Sequence, residues 1–176
     1  MPGTKSFFEL FHLPQAYEVD TALLEQRYRQ LQRSVHPDKY AGTEELAQRL
    51  AVQYSSLLNE ARDTLKSPLR RAIYLLGLSH SASNIETAST SDVQFLMQQI
   101  EWREALEVCA QADDPLAELD SLQSEFNRAM ADYERDFANA YDGKDFAVAE
   151  SVVHKMQFIA KLISEAEAME EQLLDN

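Results

Sequence analysis

The sequence predicts an all-α protein built in two helical parts, and three observations carry that expectation. Apolar residues recur every three to four positions along most of the 176 residues, the period of an amphipathic helix. No stretch alternates convincingly with period two, so strands are not expected. Aspartate, serine, proline and glycine cut the periodic runs into ordinary helix lengths. With 45% hydrophobic residues, 26% charged residues and only 4 glycines, the composition is that of a globular chain, not of a disordered or collagen-like one. A single cysteine, Cys109, allows neither an internal disulfide nor a thiolate metal cage. No signal-peptide-like stretch and no 18-residue uncharged apolar run occurs, so a cytoplasmic, non-membrane protein is expected.

The elements follow in order. A short turn is expected over Phe7 to Phe11. Asp20 is a plausible N-cap for a helix reaching about Val35, with Leu24, Tyr28, Leu31 and Val35 in one stripe and Arg29 and Arg33 roughly opposite. Pro37 disfavours a helical His36 and ends that helix, and Asp38 to Gly42 reads as a loop. A second long helix runs from about Thr43 to Leu65; its stripe of Leu46, Leu50, Tyr54, Leu57, Leu58, Ala61 and Leu65 predicts antiparallel packing on the first. Ser67-Pro68 opens a short helix expected to stop at Gly77.

Three further amphipathic segments, about Asp92 to Ala110, Asp114 to Asn139 and Lys144 to Leu174, have short connections and predict an up-down-up three-helix bundle. The second of them carries Leu119, Leu122, Phe126, Met130, Tyr133 and Phe137; the third carries Val148, Val152, Met156, Ile159 and Ile163. Between the two parts lies a Ser/Thr-rich stretch with little apolar periodicity. The expected organisation is a first domain over 1–78, a linker over 79–91 and a second domain over 92–176. Charge divides the chain at the same place: residues 1–80 sum to +1 and residues 81–176 to −15, within a net −14. A surface that acidic repels phosphate backbones and anionic headgroups, so neither nucleic acid nor a membrane is an expected partner.

The tripeptide His36-Pro37-Asp38, set between two antiparallel helices of which the first has a basic outer face, closely resembles the signature of J-domains. The resemblance covers roughly residues 5 to 77. It implies a helical hairpin with short flanking helices that binds a DnaK-type chaperone and stimulates its ATPase. His36, Pro37 and Asp38 would carry that role, supported by the cations of Arg29, Arg33 and Lys39. The residues suit it: proline fixes the loop backbone, and exposed cations steer the loop toward an acidic surface. An acid/base role for His36 with Asp38 finds no support, since no phosphate loop, nucleophile or metal constellation accompanies them.

Ser67 to Leu76 and Phe95 to Glu104 are similar to the HscB family, the J-type co-chaperones of iron–sulfur cluster biogenesis, which extends the resemblance over nearly the whole chain. It implies that the C-terminal bundle binds the scaffold protein IscU while the J-domain recruits the specialised partner HscA, with no metal or other cofactor held by the chain. The segment 92–110 asks for a partner independently. Phe95, Trp102, Leu106 and Cys109 project to one side, Val93, Leu96, Met97 and Ile100 to the other, and the second side also bears Glu104 and Glu107 with Glu101 at its flank. Carboxylates do not belong in a core, so that face is expected to be exposed and to bind protein. The family's scaffold-binding region coincides with Leu96, Met97, Ile100, Glu101, Glu104 and Phe158, while Gln157 stands where the resemblance implies a basic residue. Two alternatives stay open: a J-domain protein with another client, and an acidic interaction scaffold that stimulates no ATPase. So does burial of both faces of the segment, one against the bundle and one against the J-like half.

Overall fold

The computed structural model describes residues 5–35, 45–79 and 92–175. All regular structure among them is helical: α1 (Phe7–Leu10), α2 (Thr21–Val35), α3 (Glu45–Lys66), α4 (Pro68–Ser79), α5 (Val93–Cys109), α6 (Pro115–Asp142) and α7 (Phe146–Leu174). Two compact units result, Met1–Ser79 and His80–Asn176. The stretch 80–91 lies outside the described residues.

Side-chain caps start the helices. Asp20 accepts from the Leu23 amide at 2.9 Å, Asp92 from Phe95 at 3.0 Å, Asp114 from Ala117 at 3.2 Å and Asp145 from Val148 at 3.2 Å. Each supplies an acceptor to an amide with no intrahelical partner, and its negative charge suits the helix N-terminus. The ends differ from expectation. α4 does not stop at Gly77 but continues to Ser79, because glycine in a helix costs only about 1 kcal/mol and does not remove a hydrogen bond. α6 continues to Asp142. Its Schellman turn pairs the Asp145 amide with the Ala140 carbonyl and the Lys144 amide with that of Tyr141. The left-handed position falls on Lys144, with φ 59°, rather than on Gly143.

In the N-terminal unit, α2 and α3 form the hairpin, and Phe8, Phe11, Leu24, Leu58, Leu65 and Leu75 are fully buried in its core. The apolar stripe expected on α3 needs correction. Ala61, Leu58 and Leu65 are buried, but Leu46, Leu50, Tyr54 and Leu57 are exposed, Leu46 by 66%. Polar pairs decide the hairpin's rotation: Tyr28 donates to Asn59 at 2.7 Å, Ser55 to Gln32 at 3.2 Å, and Arg62 pairs with Glu25 at 2.7 Å. The face α3 turns to α2 is therefore rotated by about a quarter turn from its stripe. α1 is tied down by Arg27 of α2, whose guanidinium donates to the Phe11 and His12 carbonyls at 2.7 and 2.5 Å.

In the C-terminal unit, α5, α6 and α7 run up, down and up. Along α5, Phe95 meets Tyr133 of α6 and Phe158 of α7, Trp102 meets Phe126 and Phe158, and Arg103 pairs with Glu165. The partners ascend along α7 and descend along α6, which fixes the directions. Phe126, Ile159, Leu162 and Ala166 complete the core between them. Of the stripe expected on α7, Val148 lies outside the core and is exposed.

Two measurements check this description. An alanine methyl at Gly77 would meet no atom within 4 Å, so Gly77→Ala, tested by denaturant unfolding, should stabilise the protein by about 0.5 to 1 kcal/mol. The hydrogen bond from Arg62, with Lys66 beyond it, holds the Glu25 carboxyl below the usual carboxylate range. A carboxyl depressed in the folded state contributes stability above its unfolded pKa of about 4.3, and that contribution is lost as pH falls through the folded value. Glu25→Gln should therefore be less stable than the parent at neutral pH, and the gap in melting temperature should close below about pH 4.

Candidate functional site

Two exposed surfaces carry part of the set singled out by the sequence, Arg29 and Arg33 in one unit and Leu96, Met97, Ile100, Glu101 and Glu104 in the other. On α2, Arg29 and Arg33 lie four residues apart, and both are exposed. With Thr21, Ala22, Glu25, Gln26, Gln30 and Lys66 they line a shallow groove. Lys66 comes from the last turn of α3 and approaches Glu25 at 3.2 Å. Sequence periodicity misses it, because it is far from the arginines in the chain and arrives only when the hairpin closes. Glu25 is shared between Arg62 and Lys66, which leaves Arg29 and Arg33 to set the sign of the groove. His36, Pro37, Asp38 and Lys39 lie outside the described residues.

The second surface is the outer side of α5. Its inner side buries Phe95, Trp102, Leu106 and Cys109, and burial together with the charge of Glu118 pushes the Cys109 thiol pKa up, which makes it a poor nucleophile. The outer side places Leu96, Met97 and Ile100 in water, 44%, 60% and 58% exposed, with Val93 beside them. Glu101, Glu104 and Glu107 are exposed around them, and Gln98 donates to Glu101 at 3.3 Å. Within the C-terminal unit, this outer face of α5 is therefore not packed against α6 or α7. An apolar centre with an acidic rim favours a partner that brings apolar side chains within a basic surround.

Phe158 sits differently from the other residues of this group. It is half-buried in the seam between α5 and α7, its ring 5.8 Å from Phe95 and stacked 6.5 Å from Trp102. The Arg103 guanidinium lies over that ring at 5.6 Å and pairs with Glu165 at 3.4 Å. Arg103 follows Leu96 and Ile100 on the helix surface at i+7 and i+3, so it joins the exposed face to the Phe158 seam. Periodicity within α5 carries no signal for this contact, since Phe158 is on another helix. Trp102 closes the other flank by donating its indole N–H to Glu125 at 2.6 Å.

Among the described residues no group of three or more histidine, cysteine, aspartate or glutamate side chains could hold a metal ion, and no helix is long and apolar enough to cross a membrane.

Comparison with known proteins follows the same division. Residues 91–167 match the family described as the HSCB C-terminal oligomerisation domain. The chain is 42% identical over 173 residues to the co-chaperone protein HscB homolog of Shewanella baltica (strain OS223), covering 97% of this chain and 99% of that protein. The homolog from Shewanella loihica (strain ATCC BAA-1088 / PV-4) is 40% identical over 171 residues, 96% of this chain and 99% of its own. Among solved structures, the chaperone HscB from Vibrio cholerae superimposes with a TM-score of 0.85 at 38% identity, over 96% of this chain and 99% of that one. Human co-chaperone protein HscB gives 0.86 at 29% identity, over 96% and 84%. Full-length similarity at this level, on an all-helical fold of J-domain and bundle, places the chain in the HscB family of co-chaperones of iron–sulfur cluster biogenesis.

Proposed function

We propose that the chain is the adaptor of a two-partner system. Its C-terminal unit binds an IscU-like scaffold protein, and its N-terminal unit recruits a DnaK-type, HscA-like chaperone and stimulates that chaperone's ATP hydrolysis. It acts in the cytoplasm and holds no cofactor. The observation that carries the reading is the outer face of α5, where three large apolar side chains stand in water beside the exposed carboxylates of Glu101, Glu104 and Glu107. Burying a side chain of this size on binding contributes about 1.5 to 3 kcal/mol, and the adaptable methionine fits an irregular partner surface. Leu96, Met97, Ile100, Glu101 and Glu104 form the contact, with Phe158 supporting it from the seam. In the N-terminal unit, Arg29 and Arg33 steer an acidic surface of the ATPase toward His36, Pro37, Asp38 and Lys39. Hydrolysis belongs to the ATPase; this chain contributes binding energy and brings scaffold and chaperone together.

Asp38→Asn should leave the helical circular dichroism unchanged and remove most of the stimulation of the ATPase, because asparagine matches aspartate in size and removes only the charge. Normal stimulation by the folded variant would sink the J-domain role. For the scaffold, the triple variant Leu96→Ala, Met97→Ala, Ile100→Ala should melt nearly as the parent does, since no cavity opens at exposed positions. Its affinity for IscU by titration calorimetry should fall about a hundredfold or more. Undiminished affinity would remove this face from the client site.

A further inference from the structure

α5 is anchored unevenly. Of its buried residues Phe95, Trp102, Leu106 and Cys109, only Phe95 lies in the first two turns, and those turns carry Val93, Leu96, Met97 and Ile100. The opening turn of a helix frays because its first amides lack intrahelical acceptors. Asp92 answers this with both carboxylate oxygens: Oδ1 accepts from the Phe95 amide at 3.0 Å, and Oδ2 accepts from Lys155 Nζ of α7 at 2.7 Å. Lys155 is itself held, with its ammonium 5.2 Å from the Phe95 ring centroid and 5.9 Å from that of Tyr133. Its side chain is only 22% exposed. The pair leaves its mark on Asp92, whose carboxyl is held below the usual range first by Lys155 and then by the Phe95 amide.

One cation from α7 thus grips the capping carboxylate of α5 and lies against the single aromatic anchor of the same turn. We propose that Lys155 is a positioning residue for scaffold binding: it contacts no scaffold, but latches the first turn of α5 so that Leu96 and Met97 stand in helical register before the partner arrives. This rests on the reading of the outer α5 face as the scaffold site. Preorganisation of this kind raises affinity in proportion to the fraction of molecules already competent to bind.

The test measures IscU affinity by titration calorimetry and amide hydrogen exchange at residues 94–98 on Lys155→Met, which keeps the apolar stem and loses the charge. Lys155→Arg, which keeps a cation, and Met97→Ala, a contact control, are run beside it. Lys155→Met should weaken scaffold binding about threefold to tenfold, the loss expected from a frayed cap. It should speed exchange at 94–98 by a similar factor and leave exchange at Trp102 to Cys109 unchanged, and Lys155→Arg should restore both. Unchanged affinity in Lys155→Met while Met97→Ala binds weakly would overturn the latch alone. Exchange that rises along the whole of α5 without rescue by arginine would also overturn it, by making Lys155 a support of the fold. Full affinity in both Lys155→Met and Met97→Ala would overturn the latch together with the scaffold site on which it rests.

Discussion

α5 carries apolar residues on two opposite sides, and the bundle has one seam in which to bury them. Everything distinctive about the C-terminal unit depends on that mismatch. Phe95, Trp102, Leu106 and Cys109 take the seam, where two aromatic rings and their neighbours on α6 and α7 offer the larger burial. Leu96, Met97 and Ile100 are left outside. A helix whose only task was to complete the core would carry polar residues there, so the exposed leucine, methionine and isoleucine forgo folding free energy that a partner can recover. Glu101, Glu104 and Glu107 keep the unoccupied face soluble and favour a basic surround on the partner.

The N-terminal unit resolves a comparable conflict by polar contacts. α3 has an apolar stripe wide enough to face α2 directly, yet Tyr28 to Asn59, Ser55 to Gln32 and Arg62 to Glu25 set the hairpin's rotation. The Ser55–Gln32 bond and the Arg62–Glu25 pair are part-buried and costly to leave unmade, whereas a leucine at the edge of a stripe loses only part of its burial. Leu46, Leu50, Tyr54 and Leu57 end up in water as a result. The same rotation leaves Arg29 and Arg33 exposed and brings Lys66 to the groove beside them. Fold and electrostatics are coupled through Glu25, which absorbs Arg62 and Lys66 and leaves the arginines of α2 available for a partner.

Charge completes the division of labour. A near-neutral first half and a strongly acidic second half give two surfaces of opposite preference on one chain, one with a basic groove and one with an acidic rim. Electrostatic complementarity of this kind governs encounter rate and orientation more than final affinity. It suits the adaptor role proposed above, in which two different partners are met without confusion.

By itself the sequence determined the helical class, the bundle's up-down-up order, the helix starts at Asp20, Asp92 and Asp114 and both faces of α5, because these follow from 3.6-residue periodicity and short-range hydrogen bonding, which are local properties of the chain. It placed Arg29 and Arg33 opposite the core for the same reason. Only the tertiary structure decided which part of the α3 stripe is buried, that Lys66 joins the groove, that Arg103 covers Phe158 and that Lys155 grips Asp92. Each of these joins residues on different helices, and helix rotation is set by the sum of many contacts across a seam, to which periodicity within one helix is blind. The helix ends were divided between the two. Proline and aspartate mark a start because they change the local hydrogen bonding of the first turn. Gly77 marked no stop and Lys144 took the left-handed turn, because the last turn of a helix extends until packing, not composition, ends it.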